Sequence, residues 1–350
     1  MNHEYFDLAL TGTTLKDLFA CDPNQKTVVI DSSGNYGTTY SSLSNLETSP
    51  YIMNYKLLKD RRQNNEKVMI ESIPLVLGAK DRIIQLFGEN AFGEQLGFVD
   101  ICDIYYISDV QTRIPTSKND IANLSLSNSD LFFLYKGIKE RNLNIIEENF
   151  KNKHHPLYKA LIIKRIFSEK EFMKYCLNFG DAPFVYPLYG LSELSESASM
   201  KNSFQGTVYV LNKDMHYSIK ENECYKHTFT CDLGIVSAKE FKPRILDSKL
   251  QNIKVILTQK RKFTGNFLAY LDSSNDFMIN ITKTSNDNEK GLIKIIGIYS
   301  DAEVCPEGHQ LLYFIRENEE IDNSILKAFS IFDEDIILEV NYTSKYEISP

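Results

Sequence analysis

The first 31 residues carry the pattern of a β-α-β unit, which restricts the fold more than any other part of the sequence. Apolar residues alternate over 6–10, as on the buried side of a strand, and a run of one glycine and three threonines turns the chain at 11–14. Apolar residues at helical spacing follow over 15–19, and an apolar run over 27–31 predicts a second strand that ends on Asp31. An acid about 20 residues after such a turn is typical of a dinucleotide-binding unit.

The turn itself departs from the G-x-G-x-x-G pattern that binds a dinucleotide. Gly12 fills the first glycine position, but Thr14 stands at the second and Asp17 at the third. The second glycine lets the backbone approach the pyrophosphate, so the Cβ of Thr14 crowds that group, and the charge of Asp17 in the first helical turn repels it. The sequence therefore predicts the β-α-β fold without a bound cofactor.

Composition limits the classes of protein to consider. A chain of 350 residues is long enough for about two domains, and 43% hydrophobic with 25% charged residues is typical of a soluble globular protein. The net charge of −8 argues against nucleic-acid binding, which needs a basic face. No apolar run approaches the ~20 residues of a membrane span, and the polar first residues do not begin a signal peptide. We therefore expect a cytoplasmic protein.

Motifs of catalytic or metal sites are missing from the sequence. It has no P-loop, no G-x-S-x-G and no H-E-x-x-H, and its six cysteines form no C-x-x-C pair. The six histidines stand in no recognisable nucleophile context. We therefore predict no catalytic, cofactor-binding or metal-binding residues, and a protein that is not an enzyme.

The pattern between the second strand and the middle of the chain is weaker. Residues 39–65 are polar and rich in serine and asparagine, which predicts a loop with short helical pieces. Residues 73–87 place apolar residues at helical spacing and predict a helix, and residues 98–107 predict a strand.

A helical stretch occupies about 116–180. Ser117 and Ser168 each begin a capping box, in which an acid three residues later completes the start of a helix. Strand patterns dominate after this stretch. The order predicts an α/β fold, in which a sheet domain formed by 1–115 and 181–350 is interrupted by an all-helical domain.

Two blocks after residue 180 carry the most specific signal in the chain. Residues 186–194 read Y-P-L-Y-G-L-S-E-L, and residues 206–212 read G-T-V-Y-V-L-N. They resemble the signature of the family that holds Rab GDP dissociation inhibitors and Rab escort proteins, which reads Y-P-L-Y-G-x-G-E-L-P and then G-G-x-Y-x-L-N. No gap is needed between the two blocks, so the spacing supports the resemblance as well as the letters.

Weaker matches to this family occur in the same order along the chain. Residues 6–17, F-D-L-A-L-T-G-T-T-L-K-D, resemble the family's N-terminal Y-D-V-x-V-x-G-T-G-L-x-E. Residues 31–38 match its D-x-x-x-Y-Y-G-G at the acid, one tyrosine and one glycine, and residues 71–76, E-S-I-P-L-V, resemble its D-L-I-P-K-F. The resemblance extends to about residue 345.

The resemblance implies both a fold and a function. The family's members look like flavoproteins that lost their cofactor, which implies a FAD/NAD(P)-binding-like sheet domain of Rossmann type and a helical domain that binds the prenyl lipid. The implied function is that of a Rab GDP dissociation inhibitor, which binds GDP-bound, prenylated Rab GTPases, slows GDP release and extracts them from membranes in vesicle traffic. The implied partners are these GTPases and their geranylgeranyl lipid, with transient contact to the membrane surface, and we expect a monomer.

The family's Rab-binding platform, carried over by position, falls on Tyr36, Glu193, Val208 and Val210. Tyr36 can stack and donate one hydrogen bond, and Glu193 can pair with a basic group or a backbone donor. A strand-end tyrosine that packs on its own turn and a solvated acid explain the same two residues without a partner. Met200 stands where the family has an arginine, so one charge partner of the platform is lost.

Apolar residues of the helical stretch supply material for a lipid groove, although an ordinary helical core explains them equally. They are Leu131, Phe132, Phe133, Leu134, Leu161, Ile162, Ile163, Ile166, Phe167 and Phe172. Tyr186 and Tyr189 of the signature are expected to pack in the core and at a hinge rather than to contact a partner.

Two other functions stay open. The first is a Rab escort protein, which presents new Rabs to geranylgeranyl transferase; the small size of the chain favours the inhibitor. The second, from another class, is a flavin-dependent oxidoreductase with a degenerate fingerprint. A visible absorption spectrum distinguishes this last candidate, because bound flavin is yellow.

Overall fold

A computed structural model describes most of the chain, with several gaps. The described ranges are 3–13, 21–22, 24–31, 36–37, 42–43, 52–63, 66–81, 84, 96–211, 216–219, 224–231, 234–242, 248–272, 291–317 and 319–347. The helix predicted over 15–19, with Thr14 and Asp17, lies outside these residues.

Strands and helices are numbered in chain order. The strands are β1 (His3–Thr11), β2 (Thr27–Asp31), β3 (Ser42–Leu43), β4 (Ile52–Asp60), β5 (Ile70–Glu71), β6 (Leu77–Gly78), β7 (Phe98–Ile101), β8 (Asp103–Ile107), β9 (Gln111–Arg113), β10 (Phe184–Pro187), β11 (Val208–Leu211), β12 (His216–Ile219), β13 (His227–Cys231), β14 (Gly234–Lys242), β15 (Ser248–Thr258), β16 (Phe267–Asp272), β17 (Leu292–Tyr299), β18 (Gln310–Glu317) and β19 (Ile336–Glu347). The helices are α1 (Lys118–Ala122), α2 (Asn128–Glu140), α3 (Leu143–Asn149), α4 (Pro156–Tyr158), α5 (Glu169–Leu177), α6 (Ser192–Phe204) and α7 (Ser324–Ala328), with a π-helical turn at Lys159–Ile163.

The first sheet contains the strands of the predicted β-α-β unit. Its order is β11-β2-β1-β14-β13-β12, and the first four strands run parallel while β14, β13 and β12 are antiparallel. In β2 all five residues are buried, as expected for a strand covered on both faces. The register pairs Leu8 with Thr27 and Thr11 with Ile30, so both strands end at the same edge of the sheet. The two predicted strands and the α/β fold class are confirmed.

The large sheet consists mainly of strands from the second half of the chain, joined by β4, β8 and β9 from its first third. Its order is β4-β19-β15-β18-β17-β16-β8-β9, antiparallel except for the parallel pair β16 and β8. The described residues also form two small sheets, with the strand orders β6-β10-β7 and β3-β5. Strand β10 of the signature is central in the first of these.

The helices between the sheets begin where the sequence predicted. Ser117 and Ser168 accept hydrogen bonds from the backbone N–H of the third helical residue, and the acids Asp120 and Glu171 bond back to the cap, so both capping boxes are confirmed. One apolar cluster joins side chains of this helical stretch, such as Leu134, to side chains of the large sheet. The division into two domains stays a prediction.

Two sequence predictions are wrong. The polar stretch 39–65 contains β4, a nine-residue edge strand. Its residues are partly exposed on both faces, so apolar and polar residues do not alternate along it. The helix predicted over 73–87 does not form over 73–81, where Leu77–Gly78 is instead a short strand paired with Phe184 and Val185. Ile84, the other described residue of the predicted range, is helical. The pairing with β10, which is distant in sequence, outweighs the local preference for a helix that the spacing of apolar residues indicated.

A buried acid joins the helical stretch to the large sheet. Asp272 at the end of β16 accepts a hydrogen bond of 2.6 Å from the hydroxyl of Tyr106, and its side chain is fully buried. The ammonium groups of Lys164 and Lys159, around the π-helical turn, lie 3.1 and 3.5 Å from its carboxylate oxygens. A buried carboxylate needs such partners, because desolvation otherwise outweighs its electrostatic attraction.

We expect Asp272→Asn to lower the free energy of unfolding by about 3 kcal/mol, because it leaves two ammonium groups without this buried counter-charge. Urea unfolding measures the change. Asp181→Asn is the matched control, since Asp181 pairs with Lys80 at 3.3 Å where both side chains are exposed, and it should cost less than about 1 kcal/mol. Equal losses in the two variants would contradict this account of Asp272.

Candidate functional site

The signature segment connects a buried strand to an exposed helix. All four residues of β10 are buried, and β10 pairs antiparallel with β6 on one side and β7 on the other. A turn at 188–191 leads into α6, and after this helix the chain enters β11 at the edge of the first sheet. The signature therefore links the small sheet to the first sheet.

The turn between β10 and α6 requires a glycine for two reasons. Gly190 has φ +102°, in the left-handed region, and the preceding Tyr189 has φ +63°. A Cβ at Gly190 would lie 2.4 Å from Ser42 Oγ and 2.7 Å from Glu71 Oε1, which are distances that no real Cβ adopts. The backbone N–H of Tyr189 donates to the carbonyl of Ala302 at 2.8 Å, which ties the turn to the start of another loop.

Glu71 is the centre of the hydrogen bonds that hold this turn. Its carboxylate is fully buried and accepts hydrogen bonds from the Ser42 hydroxyl at 2.9 and 3.0 Å and from the Leu191 backbone N–H at 2.9 Å. The Tyr186 hydroxyl donates to the same carboxylate. Ser42 Oγ also accepts from the backbone N–H of Ser192 at 3.1 Å, so the first turn of α6 is fixed as well.

The backbone of Glu71 connects this turn to the large sheet. Its N–H donates to the hydroxyl of Tyr313 on β18 at 3.1 Å, and its carbonyl accepts from the hydroxyl of Tyr342 on β19. Both tyrosine side chains are buried. One residue therefore positions the signature turn relative to two strands of the large sheet.

Burial changes the acidity of this centre. Desolvation raises the pKa of Glu71 from 4.5 to about 7, although the hydrogen bonds from Tyr186, Leu191 and Ser42 favour the charged form and limit the rise. The carboxyl of Glu71 thus changes its charge near neutral pH, where an ordinary glutamate is fully ionised.

The exposed face of α6 brings two of the four predicted platform residues together. Glu193 and Glu196 lie on successive turns, and burial together with the charge of Glu193 raises the pKa of Glu196. Burial and the charge of Glu196 raise the pKa of Tyr36. The Tyr36 ring meets the Tyr209 ring edge-on, with centroids 5.9 Å apart. Tyr36 and Glu193 therefore each lie within electrostatic reach of Glu196.

The two predicted valines differ from each other. Val208 is partly exposed on β11, the edge strand that pairs with β2. Val210 is only 3% exposed and packs in the apolar core of the first sheet. A docked protein therefore cannot contact the side chain of Val210, and any part this residue has in binding is to position β11.

The other signature tyrosines also differ in position. Tyr186 is fully buried and bonded to Glu71, which agrees with its expected place in the core. Tyr189 is 53% exposed in the turn, and Met200 is exposed on α6. Sequence reasoning missed Glu196 because α6 itself was not predicted; the spacing of Glu196 three residues after Glu193 was the available signal. It also missed Tyr209 on β11.

The dinucleotide position does not fit a bound cofactor. In such folds the acid at the end of the second strand accepts a hydrogen bond from the ribose. Here Asp31 is 1% exposed and accepts from the hydroxyl of Thr13 at 2.7 Å and from its backbone N–H at 3.1 Å. The N–H of Gly37 donates to the same Thr13 oxygen at 2.9 Å, so the loops close on each other. The absence of a bound dinucleotide stays a prediction, which a visible absorption spectrum tests.

A cavity of about 450 Å³ opens among the helices. Four of the predicted groove residues line it, namely Leu161, Ile162, Phe167 and Phe172. Arg141 and Arg165 lie at its exposed rim. All four apolar residues also belong to the buried core cluster, as do Leu134 and Ile166, whereas Phe132 and Ile163 are each 59% exposed. The predicted apolar set is therefore divided between the core and the surface.

Comparisons with known proteins agree with this geometry. The family model described as GDP dissociation inhibitor matches residues 163–328, which include the signature and α6. Guanosine nucleotide diphosphate dissociation inhibitor 1 of Arabidopsis thaliana is 25% identical over 115 residues. That match covers 31% of this chain and 24% of the relative, so it spans about a quarter of the relative's length.

Over residues 163–328 this chain is similar to the GDP dissociation inhibitor family. A solved Rab GDI from Plasmodium falciparum has the same fold, with a TM-score of 0.66 and 16% identity over 99% of this chain and 90% of that one. An oxidoreductase from Methanosarcina mazei also shares the fold, with a TM-score of 0.57 and 11% identity over 98% of this chain and 88% of that one. The fold is therefore the FAD/NAD(P)-binding-like fold that the sequence predicted.

Among the described residues of this chain, no helix is both long and apolar enough to span a bilayer.

The raised pKa of Glu71 predicts a specific pH dependence of stability. A carboxyl with a raised pKa stabilises the fold while it is protonated, so this contribution is present below about pH 4.5 and is lost as the pH rises to about 7. Across that interval we expect the wild type to lose about 3 kcal/mol of unfolding free energy relative to Glu71→Gln, which cannot titrate. Urea unfolding at several pH values measures this difference, and parallel pH profiles of the two proteins would contradict it.

Proposed function

We propose that this chain is a Rab GDP dissociation inhibitor, which binds GDP-bound, prenylated Rab GTPases, slows GDP release and extracts them from membranes. The observation that carries the proposal is the surface that joins Tyr36 to Glu193 and Glu196 on α6. Glu193 and Glu196 lie within the part of the chain that the family model matches, whereas Tyr36 lies outside it. The P. falciparum Rab GDI, by its name, acts on Rab proteins, and the proposal extends that partner to this chain.

The α6 surface has the chemistry that a GTPase switch region requires. Glu193 and Glu196 offer two carboxylates to basic side chains or backbone N–H groups, and Tyr36 offers an aromatic face with one hydroxyl. A rigid strand and a helix anchored through Glu71 support these groups, so few side chains must be ordered on binding. A surface of this kind slows GDP release when it holds the switch segments in their GDP-bound arrangement.

The cavity among the helices suits the second part of the proposed function, which is the extraction of prenylated Rab from membranes. Removing a prenyl chain from a membrane requires an apolar site in exchange, at ~0.8 kcal/mol per buried CH₂. Leu161, Phe167 and Phe172 give the cavity apolar walls. Its volume of about 450 Å³ lies within the range of small-molecule sites. We therefore assign the geranylgeranyl group to this cavity in the proposal.

The proposed surface predicts selectivity for the nucleotide state. Prenylated Rab loaded with GDP should bind at least about tenfold more tightly than Rab loaded with a GTP analogue, because the switch segments change order with the γ-phosphate. Glu193→Ala should weaken the GDP complex by ~1–3 kcal/mol through loss of a charge-assisted hydrogen bond. Titration calorimetry and fluorescent-GDP release measure both effects.

Glu307→Ala serves as the matched control, since Glu307 is an exposed acid on the loop before β18, outside the proposed surface. It should leave the affinity unchanged. Equal affinity for both nucleotide states, or no binding of any prenylated Rab, would overturn the proposed function. Recovery of stoichiometric flavin from the native protein would favour the oxidoreductase instead.

A further inference from the structure

Four exposed or partly exposed side chains form one stripe along α6. Glu193, Glu196, Met200 and Phe204 follow one another at intervals of three, four and four residues, which is the spacing of one helix face. Residues on the opposite face, such as Leu194 and Ala198, are buried. The helix therefore presents a continuous face about 17 Å long from Glu193 to Phe204.

The chemistry of the stripe changes along the helix. Its N-terminal half carries two carboxylates, whereas its C-terminal half carries Met200, 46% exposed, and Phe204, 83% exposed. Phe204 has the largest exposed fraction among the large hydrophobic side chains of the described residues. An exposed phenylalanine beside an exposed methionine, continuous with polar groups, is typical of a protein–protein contact surface.

Within the part of the chain that the structure describes, the acidic half of the stripe has no cation paired with it. Among the described residues, neither Glu193 nor Glu196 forms an ion pair. Burial raises the pKa of both carboxyls, and the charge of Glu193 raises that of Glu196 further. A basic group supplied from outside would relieve both effects, which argues for a cationic side chain on the partner.

We propose that the stripe selects, among GDP-bound Rab GTPases, those whose docking face presents a basic side chain about 9 Å from an exposed apolar side chain. This inference rests on the proposed function. The basic side chain meets Glu196, and the apolar one packs between Met200 and Phe204. The distance follows from the separation of about six residues between Glu196 and the midpoint of Met200 and Phe204, at a rise of about 1.5 Å per residue. Met200 and Phe204 are then residues that determine specificity.

The two halves of the stripe should respond differently to salt. Screening weakens a contact between Glu196 and a cation, whereas apolar contacts of Met200 and Phe204 are insensitive to moderate salt. The affinity ratio between wild type and Glu196→Gln should therefore shrink as salt rises. The ratio between wild type and Phe204→Ser should stay constant. A single titration series at low and high salt separates the two kinds of contact.

The experiment uses the full chain and a panel of purified, geranylgeranylated, GDP-loaded Rab GTPases, with affinity measured for each. Phe204→Ser should weaken binding of the tightest Rab by about tenfold or more, and Met200→Arg should weaken it severalfold, because it places a charge against an apolar side chain. Phe332→Ser is the matched control, since Phe332 is also exposed (54%) but lies between α7 and β19. Thermal unfolding confirms that each variant is folded.

The outcomes separate this inference from the proposed function. If Rabs bind but Phe204→Ser matches Phe332→Ser, or Met200→Arg tightens binding, the stripe does not select an apolar partner and this inference alone fails. If no Rab of the panel binds the wild type, the proposed function fails and the inference fails with it. If the affinity ratio between wild type and Glu196→Gln does not change with salt, the proposed contact between Glu196 and a basic side chain is wrong.

Discussion

The buried carboxylate of Glu71 is the interaction on which the arrangement of the proposed surface depends. It accepts hydrogen bonds from the turn before α6 and from Ser42, while its backbone is bonded to tyrosines of the large sheet. Removing a carboxylate from water costs several kcal/mol, so such a group persists only where its hydrogen bonds are satisfied. Gly190 completes the requirement, because any side chain there would collide with the carboxylate. The signature thus has a structural reason to keep its glycine and tyrosine, separate from any contact with a partner.

In the first sheet, the acid position typical of a dinucleotide-binding unit forms hydrogen bonds within the protein. The acid at the end of β2 is bonded to Thr13, and Thr13 is bonded to Gly37, so groups that would meet a ribose instead close the loop. The same loop carries Tyr36, which lies against Tyr209 and beside Glu196. The edge of the sheet that binds a dinucleotide in other proteins therefore supports the surface proposed here for a protein partner. This agrees with a fold shared with both a Rab GDI and an oxidoreductase.

Local patterns in the sequence predicted those features whose causes are local. The capping boxes at Ser117 and Ser168 and the alternating strands of the first sheet rely on near neighbours, and both are confirmed. Strand β4 was missed, because an edge strand exposed on both faces has no alternation. The hydrogen bonds of Glu71 could not be predicted from the residues next to it in sequence, since its partners are residues 42, 186, 191, 313 and 342. The family signature indicated which residues matter, and only the fold showed that Val210 is buried while Glu196 joins the surface.

Hydrogen exchange of the full chain, alone and with a GDP-loaded, geranylgeranylated Rab, tests the central claim most directly. The claim is that the α6 face and the turn at Tyr36 form the docking surface. Backbone amides of α6 and of residues 36–37 should gain protection in the complex, because a docked partner reduces their local opening. The hairpin of β12 and β13 should exchange as before. Protection confined to that hairpin or to the large sheet, with α6 unchanged, would contradict the account.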